Sequence, residues 1–299
     1  MEMRNRTVPS AVSAYANPAN RKKQIAHFFL YFLLIAVSII MLYPMLWLLG
    51  ASFKSNADIH SSIWFMPKSI NWQPYINGWR TGSEYTMGHY FINTFTIVIP
   101  TVAFTIFSSV ITAYGFARFE FPGKKALFSL LIATMLLPPI ILRIPQYVMW
   151  GQFKALDTYI PLVLPHLFAA DGVFVFMLIQ FFRSIPKDLD EAAKIDGCNS
   201  VKTLTHILAP VIKPGIVSIG LFSFMWSMND FLGPLIYVSS VSKYPVTIAL
   251  RMSMDATGAG YDENQIIAMS IISIIPSIIV FAIGQKQFVE GLTTGSIKG

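Results

Sequence analysis

Two carboxylates, Asp171 and Asp230, lie deep inside long apolar stretches of this chain, and neither belongs to a pattern that performs covalent chemistry. A charge at membrane depth is costly and normally faces a cavity or a partner. Asp171, and Asp230 with its neighbours Trp226 and Asn229, are therefore candidate residues of a solute pathway. A carboxylate accepts hydrogen bonds from solute hydroxyls, and the faces of Trp226, Phe222 and Phe224 offer stacking surfaces. Two structural roles compete with this. Asp171-Gly172 can mark a bend tied to a neighbouring helix, and the Asn229–Asp230 pair can fasten helices together. Neither HExxH nor GxSxG occurs, which argues against an intramembrane enzyme. The histidines at 27, 60, 89, 166 and 206 show no ligand spacing, and a single cysteine, Cys198, cannot form an internal disulfide.

A second group of residues can dock rather than react. Between two apolar runs lies a polar stretch, Asp188 to Pro210, with the hallmarks of ordered structure. Asp188-Leu189-Asp190-Glu191 fits a capping box, with Asp188 accepting from the Glu191 amide and Glu191 reaching back. The short helix that follows sets Leu189, Ala192 and Ala193 on one face, and Gly197 suits a left-handed C-cap. Asn199 or Ser200 can cap a second short helix carrying Val201, Leu204 and Leu208 as a stripe. Pro210 limits that helix. The outcome is a helix, a bend and a helix, with small side chains where a partner backbone can approach.

The elements that must hold these groups are membrane spans. Of 299 residues, 54% are hydrophobic and 12% charged, about half the charge of a soluble domain, and the mean hydropathy is +0.57. The apolar residues come in long unbroken runs, so the expected fold is an all-α polytopic membrane protein. Six helices are expected, at 27–50, 90–117, 125–144, 158–183, 213–237 and 264–285, each long enough for a hydrocarbon core of ~30 Å. Prolines 100, 138, 139, 165 and 276 fall inside them, pointing to kinked helices around a cavity. Arg21-Lys22-Lys23 precedes an apolar run too long for a signal core, which favours a retained anchor. Fifteen Lys and Arg residues gather on the side of the termini and the 183–213 loop, and seven on the other. The positive-inside rule then puts both termini and the polar insert in the cytoplasm. The expected organisation is a cytoplasmic tail 1–26, a first helix 27–50, an extracytoplasmic loop 51–89, a helical membrane core 90–285 and a cytoplasmic tail 286–299. Trp64, Trp72, Tyr75, Trp79 and Tyr85 suit that loop to an interfacial belt or to docking a protein. No interleaved basic and aromatic face exists for nucleic acid.

Glu191-Ala192-Ala193, Gly197, Ile207 and Pro210 resemble the E-A-A-x3-G-x9-I-x-L-P motif of type I ABC importer permeases, with Ala209 standing where Leu is usual. Trp226-Ser227-Met228-Asn229-Asp230-Phe231 resembles the W-N-D-F segment of the carbohydrate-uptake branch. The ending Phe288-Val289-Glu290-Gly291-Leu292-Thr293-Thr294-Gly295-Ser296-Ile297-Lys298-Gly299 resembles its F-V-x-G-L-T-x-G-x-x-K-G tail, as in the maltose-type second permease. Ala113-Tyr114-Gly115-Phe116-Ala117-Arg118 and Arg183-Ser184-Ile185-Pro186 fit as well. The resemblance implies a transport subunit whose insert between the fourth and fifth helices is a coupling helix. It makes Glu191, Ala192, Ala193, Asp196 and Gly197 the docking site for an ATPase. It further implies a second homologous permease, two ABC ATPase subunits, an extracellular solute-binding protein and a sugar or oligosaccharide cargo. No GxxxxGK[ST] loop occurs, so ATP and Mg are expected on the partner ATPase, with no cofactor on this chain. A non-sugar solute such as glycerol phosphate is the alternative cargo. An ion-coupled secondary transporter fits less well, since paired inverted repeats are not visible.

Overall fold

The computed structural model describes residues 18–80, 84–255 and 263–294; the N-terminal arm to residue 17 and residues 295–299 of the C-terminal motif lie outside them. Among the described residues the structure is helical, with no strand. They fall into two compact units, one ending at Asn71 and one beginning at Trp72.

The first unit holds α1 (Pro18–Ala51) and α2 (Asn56–Ser61). Apolar side chains of α1 from Phe28 to Leu46 are exposed, which suits hydrocarbon rather than water. After α1 the chain turns back sharply, and Tyr43 Oη donates to the Ile63 carbonyl at 2.9 Å. A Cβ at Gly50 would fall 1.6 Å from the Phe65 carbonyl oxygen, so only glycine fits this return. Lys54, 3% exposed, donates to the Ser62 and Trp64 carbonyls.

The second unit opens with α3 (Gln73–Arg80) and the long α4 (Met87–Arg118). Next come α5 (Lys124–Met135) and α6 (Pro139–Gln152), bent by 102°. The stretch expected as one kinked span at 125–144 is therefore broken far more sharply than a kink. Pro139 forces the residue before it out of helical backbone, and Pro138 does the same one step earlier. The stretch expected at 158–183 is α7 (Ile160–Val163), a 3-10 turn (Leu164–Phe168) and α8 (Gly172–Ser184). Ala169, at φ 54°, interrupts the run just ahead of Asp171. Then follow α9 (Asp188–Ile195), α10 (Ser200–Lys202), a π turn (Thr203–Leu208) and α11 (Ala209–Val211). The remaining helices are α12 (Lys213–Met228), α13 (Leu232–Tyr237), α14 (Val246–Asp255) and α15 (Glu263–Thr294). Among the described residues four helical runs are long and apolar enough to cross a membrane, or up to six if each bent pair is one span.

Helix α4 is the axis of this unit and packs on α8, α12 and α14, while α12 also packs on α15. Phe174, Val175, Leu178, Ile179 and Phe182 form the inward stripe of α8 and join Tyr114, Leu208, Ile212 and Ile219 in one core. Small residues let the backbones come close, as is usual where lipid supplies no hydrophobic drive between helices. A Cβ at Gly215 would lie 2.7 Å from the Phe181 ring, and one at Gly284 2.7 Å from Leu221. Hydroxyls inside apolar helices are satisfied by the carbonyl one turn back, as in Ser218 to Pro214 and Ser273 to Met269.

Candidate functional site

The polar insert is an ordered elbow. Three acids, Asp188, Asp190 and Glu191, occupy the first turn of α9, where the helix dipole favours them. The capping box expected at Asp188 does not form. The helix begins a residue early: Lys187 is the N-cap, Asp188 is already helical, and the Asp190 and Glu191 amides donate to the Lys187 carbonyl at 2.9 and 3.2 Å. The other end follows the sequence closely. Gly197 stands at φ 76°, the Cys198 amide donates to the Ala193 carbonyl at 2.9 Å, and the Gly197 amide to the Lys194 carbonyl at 3.1 Å. These two bonds make a Schellman cap. The Asn199 side chain then accepts from the Lys202 amide at 2.8 Å and opens the second arm.

Of the five residues assigned to docking, Glu191, Ala192, Asp196 and Gly197 are exposed. Ala193 is 1% exposed and turns inward, so it seats α9 against the bundle. The expected stripe Val201, Leu204, Leu208 is split. The π turn adds a residue to the local repeat, so Leu208 is buried while Val201 stays 68% exposed. Ile195, 87% exposed, was not singled out from the sequence. An isoleucine two residues before the glycine of an otherwise polar insert was the available signal. Ile195 and Val201 give the elbow an apolar face beside its acids.

A cavity of about 780 Å³ lies between α4, α5, α6, the α7–α8 break and α12. Asp171, Trp226 and Asp230 line it; Asn229 does not. The Asn229 amide donates to the Met225 carbonyl at 2.7 Å and finishes α12. Asp171 Oδ2 accepts from the Thr105 hydroxyl at 3.1 Å and lies 2.6 Å from His166 Nδ1, and Ser108 donates to the His166 carbonyl. Asp171 thus ties the break in its own run to α4 while bordering the cavity, so the two roles open at the sequence level coexist. Asp230 Oδ1 accepts from the Gly233 amide at 3.0 Å and caps α13. Trp226 stacks on Phe174 at 4.8 Å, is 52% exposed, and lines the cavity. Phe222 packs behind it, 6.3 Å from its ring.

Sequence reasoning missed the polar residues that meet these. Arg143 and Gln146, one turn apart on α6, line the cavity with His166 and Thr101, and the buried Thr101 hydroxyl has no hydrogen-bond partner among the described residues. Only their convergence from separate elements identifies them. The breaks at 136–138, 169–171 and 229–231 all border this space. Non-helical backbone at membrane depth is tolerated in such a place, where it lines a cavity rather than facing lipid. Among the described residues no group of three or more His, Cys, Asp and Glu could hold a metal.

At the far end of α4 from the elbow, the loops before α7 and after α13 are stapled together. Asp157, at φ 56°, accepts from the Ser239 and Ser240 amides at 3.0 and 2.8 Å, from the Ser240 hydroxyl at 2.6 Å, and from Lys243 Nζ at 2.9 Å. The Ser240 hydroxyl and amide, with the Lys243 ammonium, hold its carboxyl well below the usual carboxylate range. Because the folded value is the depressed one, the stabilisation is fully present above the unfolded value of about 4 and is lost as pH falls towards the folded value. Asp157→Asn is expected to cost about 1–2 kcal/mol at pH 7, discounted for a partly exposed pair. Thermal unfolding in detergent should show a gap from wild type that is constant between about pH 5 and 8 and narrows below about pH 4.

A helical bundle of apolar spans around a cavity into which a few polar side chains converge, with an ordered polar elbow at one end, defines a membrane transport subunit. Residues 90–293 match the family described as binding-protein-dependent transport system inner membrane component, and the chain belongs to that family. It is 28% identical over 266 residues to the diacetylchitobiose uptake system permease protein NgcG of Streptomyces coelicolor, covering 89% of this chain and 87% of that one. It is 30% identical over 266 residues to the arabinooligosaccharides transport system permease protein AraQ of Bacillus subtilis, covering 88% and 92%. Among solved structures, a chain from a bacterial ABC transporter involved in importing the acidic polysaccharide alginate superposes with a TM-score of 0.72 at 21% identity. That match covers 90% of this chain and 98% of the other and establishes the shared fold.

Proposed function

We propose that this chain is the permease subunit of an ATP-driven ABC importer and forms half of the pathway for a sugar or oligosaccharide. In this reading it spans the membrane six times, with the α5–α6 pair, the α7–α8 run and α12–α13 each counted as one span. Both termini and the elbow face the cytoplasm. The elbow is the coupling helix, docked on one of two ABC ATPase subunits that hold ATP and Mg. A second homologous permease completes the pathway, and an extracellular solute-binding protein delivers the cargo. The observation that carries this reading is the exposed Schellman elbow at Gly197, flanked by Glu191, Ala192, Asp196 and Ile195. Its rigid bend admits a partner backbone and passes a push into the bundle.

A carbohydrate cargo is supported by the named roles of the diacetylchitobiose and arabinooligosaccharide relatives. It also fits a cavity with one aromatic face, Trp226, among hydroxyl, amide and carboxylate groups. Arg143 in the same wall favours a second reading, an anion-bearing solute such as glycerol phosphate. Both are tested by co-expressing the chain with its partner permease, ATPase and binding protein in proteoliposomes. ATP hydrolysis and uptake are expected to rise with the loaded binding protein. Thermal shift of the binding protein against neutral oligosaccharides, uronates and glycerol phosphate separates the cargoes. Uptake that persists without any ATPase would defeat the proposal.

A further inference from the structure

The chain connects the elbow to α8 on one side and α12 on the other, so those helices are the obvious receivers of any movement. The contacts point to a third. Tyr114 and Arg118, one turn apart at the end of α4, reach across to the insert at three places. Tyr114 Oη donates to the Ser200 carbonyl at 3.2 Å, at the start of the second arm. Arg118 Nη2 donates to the Ile185 carbonyl at 3.2 Å, just ahead of the first arm. Arg118 Nε lies 3.1 Å from Asp190 Oδ2 inside the first arm, with side chains 6% and 17% exposed. Both arms are held by α4, while the tip at Asp196-Gly197 remains exposed.

We infer that Arg118, with Tyr114, is a positioning residue that makes α4 a direct receiver of the elbow's movement. The inference rests on the docking reading above. Helix α4 has 32 residues, about 48 Å at 1.5 Å per residue, and runs from the elbow past the cavity to the opposite loops. Its Thr94, Ile97 and Thr101 line the cavity, and its Thr105 holds Asp171. A shift at Arg118 therefore reaches Thr105 and Thr101, both on the Arg118 side of Pro100, along one continuous helix, without passing through the breaks that interrupt the α7–α8 run and the α12–α13 run. Arginine suits the position because one planar group donates to the Ile185 carbonyl while its permanent charge faces the Asp190 carboxylate, an ion pair in close contact but without hydrogen-bond alignment. Lysine offers a single point of attachment. An ion pair this sheltered is costly to break by removing one partner, so the connection is stiff. A cleft of about 440 Å³ lies beside the ion pair, lined by Tyr114, Arg118 and Asp190 together with Lys187, Glu191 and Lys194. The tethers thus act with the buried Ala193 and Leu208 in defining the register of elbow against helix.

The test uses the complete transporter in proteoliposomes and reads solute imported per ATP hydrolysed, alongside co-purification of the ATPase. Arg118→Gln and Asp190→Asn should still capture the ATPase and hydrolyse ATP, but the ratio should fall by roughly tenfold, the scale of a coupling free energy between two sites. Arg118→Lys should fall between them and wild type. The exchange Arg118→Asp with Asp190→Arg should recover part of the loss. Should Arg118→Gln fail to assemble, Tyr114→Phe, which keeps the ring and removes one tether, should lower the ratio about threefold. A wild-type chain that never captures an ATPase sinks the docking reading and this inference with it. A captured ATPase with an unchanged ratio in Arg118→Gln, or in Tyr114→Phe if that is the variant that assembles, overturns this inference alone. So does an exchanged pair that assembles with no recovery.

Discussion

Gly197→Val is expected to leave the chain inserted in the membrane and to cut ATP-driven uptake by roughly a hundredfold, near the upper end of coupling between distant sites. The residue stands at φ 76°, where an L side chain costs about 1–2 kcal/mol and a β-branched one more. That penalty falls on a surface bend, so the bundle should fold. No atom lies within 4 Å of where a Cβ would stand. The chain itself therefore does not demand a bare glycine for space, and any demand comes from the left-handed backbone or from a docked partner. Gly197→Asn separates these, because asparagine tolerates the left-handed region. If the backbone is what matters, Asn restores most uptake; if a partner needs the room, Asn fails nearly as badly as Val. Uptake rates, with surface expression measured in parallel, decide the matter, and normal uptake in Gly197→Val would refute the docking role.

Asp171→Ala is expected to lower maximal uptake at least tenfold and to cost roughly 2–3 kcal/mol of stability, the scale of lost hydrogen bonds to a charged group. The substitution leaves Thr105 and His166 Nδ1 with only each other among the described residues, at 3.4 Å, beside the cavity and removes the Asp171 tie between the break at Ala169 and α4. Asp171→Asn keeps an oxygen able to accept from Thr105 and should retain more of the thermal stability than of the uptake. The measurement is thermal unfolding in detergent set against uptake by the assembled transporter. Full stability in Asp171→Ala would remove the tie to α4. Full uptake would remove Asp171 from the pathway.

Much of this was legible in the residues. Long apolar runs located the spans, because a membrane helix must satisfy its own backbone and show an apolar surface all round. Gly197 and Asn199 announced the elbow's bend, since few residue types serve a left-handed cap or an N-cap. What was not legible depended on single-residue phase or on convergence. Pro138-Pro139 marks an interruption, but no local rule yields the 102° by which α6 departs from α5. The N-cap of α9 is Lys187 rather than Asp188, because the Lys187 carbonyl already accepts the first amides of the helix. Val201 left its stripe because the π turn changed the repeat beneath it. Arg143 and His166 look unremarkable along the chain and acquire a role only when α6, the α7–α8 break and α4 meet.

The elbow's second capping amide belongs to Cys198, half-buried and the chain's only cysteine. A thiol-reactive fluorophore or spin label added to the unmodified protein would therefore attach at one site, a residue away from the bend. Its emission or line shape would track the elbow through a turnover, with no cysteine-free background to engineer.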